Sequence, residues 1–75
     1  MQRYFFNVRD GASYLDAVGQ EFASLADARA AAVRYAADVM RDETAALLSG
    51  EDWRVELVNE HGTIVFSIVV FTFAP

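Results

Sequence analysis

Apolar and polar residues alternate with a period of two along residues 3–9, Arg-Tyr-Phe-Phe-Asn-Val-Arg. Tyr4, Phe6 and Val8 form one face; Arg3, Asn7 and Arg9 form the other, with Phe5 as the exception. That alternation marks a half-buried strand. Asp10-Gly11 supplies turn chemistry. A short second strand is expected around Ser13 to Leu15, bent by Asp16-Ala17-Val18-Gly19 and extended by Gln20 to Phe22. The period then changes. Leu25, Ala28, Ala32, Tyr35, Ala36, Val39 and Met40 recur at spacings of three and four, which places one apolar stripe along a helix.

Local chemistry supports the helix. The Ser24 hydroxyl suits an N-cap, and Asp27 sits where a capping-box acid would lie, at the positive end of the helix dipole. From Leu25 to Leu48 there is no Gly or Pro, and nine of those 24 residues are alanine, the best helix former. Arg34 and Asp38 are spaced as an i,i+4 ion pair on the outer face. Gly50 suits a helix stop. A helix of 24 residues would run about 36 Å, longer than a small sheet, so a bend or overhang is expected near Asp42 to Thr44.

Period two returns at Trp53 to Val58. Trp53, Val55 and Leu57 point one way, Arg54, Glu56 and Val58 the other. Asn59-Glu60-His61-Gly62 fits a type I turn with glycine in the left-handed position. The last strand is expected from Thr63 to Phe73 and is apolar on both faces: Ile64, Phe66, Ile68 and Val70 against Val65, Val69, Phe71 and Phe73. The expected fold is α+β: a single β-β-α-β-β domain over residues 1–75, with a mainly antiparallel four-stranded sheet and one long helix packed on one face. The pattern leaves strand order open.

Composition narrows the function classes. A chain of 75 residues makes one domain with a thin core. It has no cysteine and one histidine, so disulfides, thiolate sites and His-rich metal sites are excluded, and no cofactor is expected. A partner chain is the remaining common way to stabilise so small a domain. The formal charge of −5 repels nucleic acid and anionic membranes at long range. All six cations are arginine, and with 13 alanines this reads as GC-rich coding. Met1 leads directly into the first strand with no signal-peptide pattern. The apolar stretch from Thr63 to Ala74 is too short for a spanning helix. A cytoplasmic, non-membrane protein is the expectation.

The opening Met1-x-Arg3-Tyr4-Phe5-Phe6-x-Val8-Arg9-Asp10-Gly11, then Asp16, Gly19 and Glu21, the alanine-rich helix and Val58-Asn59-Glu60-x-Gly62, together resemble a family of small bacterial proteins known as a domain of unknown function. The resemblance covers nearly the whole chain. It implies a bacterial source and the fold above, with no activity attached. The hairpin leading into Ser24-Leu25-x-x-Ala28 is also similar, over about 15 residues, to the antitoxin half of certain toxin–antitoxin pairs.

Candidate chemistry is sparse. His61 is the one side chain that titrates near neutrality, but it falls in an expected solvated turn. Asp10, Asp16 and Glu21 lie around the first hairpin without the spacing of a cation loop and read as turn and surface residues. Ser13, Ser24, Thr44, Ser49, Thr63, Ser67 and Thr72 include no nucleophile elbow, and there is no Gly-rich phosphate loop. Catalysis is not expected. Arg3, Phe5, Asn7 and Arg9, with Phe71 and Phe73, would share a helix-free sheet face, an arrangement that could stack single-stranded nucleic acid. The acidic total and the lack of a basic stripe oppose that.

The same face has a plainer use. Phe5, Val58, Val65, Val69, Phe71 and Phe73 cannot all meet one helix, and a monomer rarely leaves such a surface in water. These six are the expected interface residues of a homodimer formed through the sheet face or an edge. The competing arrangement folds Leu47 and Leu48 back over part of the face. The runner-up function is a nucleic-acid-associated regulator of the antitoxin kind, using Arg3 and Arg9.

Overall fold

A computed structural model describes residues 1–10, 13–45, 52–73 and 75. The expected turn at Gly11, the helix stop at Gly50 and the contribution of Leu47 and Leu48 lie outside the described residues.

The strands form where the alternation places them. β1 spans Gln2–Arg9, β2 Ser13–Tyr14, β3 Gln20–Phe22, β4 Trp53–Val58 and β5 Ile64–Val70, with helix α1 at Leu25–Asp42. All strand pairings are antiparallel. The sheet runs β2-β1-β4-β5, and β3 pairs with β1 alongside β2. The expected second strand is therefore two short pieces on one edge of β1. β2 meets Val8 and Arg9, while β3 meets Gln2, Arg3 and Tyr4. Counting the two pieces separately makes the sheet five-stranded rather than four-stranded.

One face of this sheet carries the core. Tyr4, Val8, Trp53, Val55 and Leu57 are buried, and against them lie Ala28, Ala32 and Ala36 of α1. The three alanines stand four apart, and their small side chains let the helix axis approach the sheet closely. Leu25 and Val39 pack at the two ends of this stripe. An aromatic group closes the β3 side: Phe22 packs on Tyr4 and Phe6 at ring separations of 6.1 and 6.0 Å, and Tyr35 meets Phe6 at 5.8 Å.

Ser24 caps α1 as expected, accepting from the Asp27 N–H at 3.1 Å. The helix breaks at Glu43, within the stretch from Asp42 to Thr44 where a bend was expected, and Thr44 and Ala45 are again helical. Its cap is Glu43, whose N–H still donates to the Val39 carbonyl, so α1 is 18 residues, about 27 Å long. Asp38 pairs with Arg41 at 2.7 Å rather than with Arg34, because the i+3 position brings the cation toward the negative end of the helix.

The β4–β5 turn forms as expected. Asn59 Oδ1 accepts from the His61 and Thr63 N–H groups, and Gly62 takes φ +79°. Beyond it the register slips. Leu57 faces Phe66 but Val58 faces Ile64, which leaves Val65 as a bulge.

Candidate interaction surface

The strand registers set the layout of the helix-free face. Residues directly opposite one another share a face, so three rows follow. The first is Phe5–Val58–Ile64, the second Asn7–Glu56–Ser67, the third Arg9–Arg54–Val69. Phe71 and Phe73 continue past the third row, beyond the last paired residue of β5.

The middle of this face is polar. Arg9 and Arg54 are direct cross-strand neighbours, a repulsive arrangement by itself. Glu56 resolves it. Its carboxylate accepts from Arg9 Nε at 2.7 Å through one oxygen and from Arg54 Nε at 2.9 Å through the other. Arg9 also donates to Ser13 Oγ at 2.7 Å, which ties β2 into the group. Glu56 is 2% exposed although it lies on the face away from the helix. The hydrogen bond from Arg9 holds the Glu56 carboxyl below its ordinary range, and the charges of both arginines add to this against the opposing effect of burial.

A second carboxylate organises the β2–β3 edge. Asp16 Oδ1 accepts from the N–H groups of Val18 and Gly19 at 3.0 Å each. Its Oδ2 accepts from the Phe6 N–H at 3.2 Å, in the gap where neither β2 nor β3 reaches β1. The Asp16 N–H donates in turn to Asn7 Oδ1 at 2.9 Å. Burial raises the Asp16 pKa, but the N–H groups of Gly19, Val18 and Phe6 and the charge of Arg3 outweigh it, so the net direction is down. Gly19 takes φ +72°, and a Cβ there would lie 2.8 Å from both the Phe5 ring and the Tyr4 carbonyl. The glycine and the ring over it therefore fit each other only without a side chain at position 19.

These facts sort the six expected interface residues. Phe5 and Val58 are half-buried against each other's strands. Val65 departs from expectation: the bulge turns it onto the core cluster of Tyr4, Ala28 and Leu57, and register puts Ile64 on the open face beside Val58 instead. Val69, Phe71 and Phe73 are 58%, 70% and 82% exposed, and they gather at the outer end of β5.

The other candidates are dispersed. Arg3 pairs with Glu21 at 3.4 Å and donates to the Val18 carbonyl, so both arginines of the nucleic-acid reading are held by acids of the same chain. Asp10, Asp16 and Glu21 do not converge: among the described residues no three His, Cys, Asp or Glu side chains form a metal-binding group. His61 lies by an open depression of about 260 Å³ lined also by Gln2, Asn59 and Glu60. Glu60 accepts the Arg3 N–H there. No helix among the described residues is long and apolar enough to cross a membrane.

Residues 3–72 match a family described as Domain of unknown function (DUF6894). The chain belongs to this family. The DUF6894 match takes in all five strands from Arg3 onward, both carboxylate groups and the exposed Phe71. No curated protein and no solved structure matches the chain.

Of the residues that build this surface, Glu56 and Asp16 escaped the sequence reading in their actual roles. Arg54 and Glu56 stand two apart on one strand, so their shared face was readable. The contribution of Arg9 depends on β1 lying beside β4, which the sequence pattern does not state.

Proposed function

We propose that this domain works without catalysis, as a protein–protein interaction module that associates with a second copy of itself through β5 and the residues that follow it. The observation that carries this reading is the concentration of exposed Val69, Phe71 and Phe73 on one strand end. Each such side chain gains about 1.5–3 kcal/mol when fully buried.

The nucleic-acid reading has less support, because Arg3 and Arg9 are already engaged by Glu21 and Glu56. A cytoplasmic, bacterial setting fits an oligomeric adaptor or small regulatory partner. The test is solution mass by light scattering across a concentration series, on the wild type and on Phe71→Asp. A wild-type dimer that becomes a folded monomer in the variant is the expected result. A wild-type monomer at the highest concentration overturns the reading.

A further inference from the structure

We infer that two copies join edge to edge, β5 against β5 in antiparallel pairing, so that two five-stranded sheets become one continuous sheet with both helices on the same side. This rests on the self-association proposed above and specifies its mode.

Four observations favour the edge over the face. First, the helix-free face has no continuous apolar surface. The row Asn7–Glu56–Ser67 and the pair Arg9–Arg54 separate Phe5, Val58 and Ile64 from Val69, Phe71 and Phe73. Packing two such faces together would set the arginines of one copy near those of the other and strip water from side chains that are 39% and 51% exposed. Desolvating charges in this way is costly.

Second, β5 carries no charge to oppose pairing. From Thr63 to Phe73 the chain has no charged residue, no proline and no glycine. Isolated edges are ordinarily blunted by such residues. In a chain of net charge −5, this is a strand on which two copies meet with no like-charge contact between the paired strands.

Third, the core stops short at this edge. Phe66, Ile68 and Val70 point to the helix side and pack on the core, yet none is fully buried, and over Phe66 the cover is the Arg29 guanidinium of α1, 5.6 Å from the ring centre. A second β5 would bring the same three side chains against them and join the two cores. Fourth, the opposite edge is closed. β2 and β3 are two and three residues long, and Asp16 takes the N–H that the gap between them leaves on β1.

The chain has no cysteine, so single-cysteine variants give one spin label per copy. Labels at Ile64, Ser67, Val69 and Phe71, with a control at Tyr14, test the mode by dipolar distance measurement on the full chain. In a two-fold antiparallel pairing, the distance between equivalent labels grows by about 7 Å for each residue away from the axis, twice the strand rise. The expected profile has a minimum within residues 64–73 and rises on either side of it. The Tyr14 labels should lie about 34 Å apart or more, since seven strand spacings separate the two β2 strands. A dimer whose profile lacks that minimum overturns the edge mode and leaves self-association standing. A monomer overturns both. Val69→Lys provides a second route: it is exposed, should leave the stability of the monomer unchanged, and should weaken dimerisation at least tenfold. A Val69→Lys dimer of unchanged affinity overturns the edge mode.

Discussion

The two edges of this sheet solve the same physical problem in opposite ways. Any edge strand presents unpaired N–H and C=O groups that invite another strand. On the β2–β3 side the chain breaks the edge into two short pieces. It fills the gap with the Asp16 carboxylate and crowds Gly19 beneath the Phe5 ring. On the β5 side it leaves a strand of seven residues and an apolar continuation with no charge. The difference teaches that protection of the β2–β3 edge is built from specific polar contacts, and the proposed self-association rests on the lack of charge along β5.

The contrast can be broken hardest from the middle. Glu56→Gln leaves Arg9 and Arg54 facing each other and loosens the Arg9 link to Ser13 of β2. The arginines left behind are partly in water, so the loss is that of two hydrogen bonds to a charged group, about 3 kcal/mol together, a large part of the stability of a domain this size. Urea denaturation should show the loss. A change under 1 kcal/mol would mean that the arginines do not depend on the carboxylate.

Asp16→Ala should come next, at about 3 kcal/mol, because hydrogen bonds to a charged group contribute about 1.5–3 kcal/mol each and three converge on Asp16. Amide exchange should rise at Phe6, Val18 and Gly19 and stay unchanged in β5. Gly19→Ala should cost about 1–3 kcal/mol through its left-handed backbone, with a further penalty from the Phe5 contact. A lowered melting temperature reads this out.

The pH dependence follows from the same two carboxylates. Both have folded pKa values below their ordinary ones. The unfolded chain therefore binds more protons on acidification, and stability must fall. Their contribution is complete above about pH 5 and is lost as pH drops through the depressed folded values. Glu56→Gln should flatten this part of the acid denaturation curve. The smallest effect belongs to the bare edge. Ser67→Lys is on the exposed face of β5 and should change monomer stability by no more than about 0.5 kcal/mol, while adding to the edge the charge that it lacks.

Much of this contrast was legible in the sequence. The alternation in residues 3–9 and 53–58, the alanine spacing and the Ser24 cap rest on local physics, and each element formed near its expected place. So did the apolar character of both faces of β5, although the strand ends at Val70, opposite the first residue of β4 and short of the expected Phe73. What could not be read depended on contacts between distant segments. The Val65 bulge exchanges the faces of Ile64 and Val65, and alternation alone has no term for it. Asp16 carries a generic turn signature, and its role appears only when Phe6 of another strand supplies an N–H. Helix α1, by contrast, breaks at Glu43, inside the stretch where its length against a small sheet led to an expected bend, and Thr44 and Ala45 are again helical.

The most direct test compares backbone amide exchange in the wild type at low and high protein concentration. Amides of residues 64–73 are expected to exchange more slowly as concentration rises, while those of β2 and β3 do not change. Concentration-independent exchange in β5, or protection that grows at the β2–β3 edge instead, would contradict the proposed edge pairing.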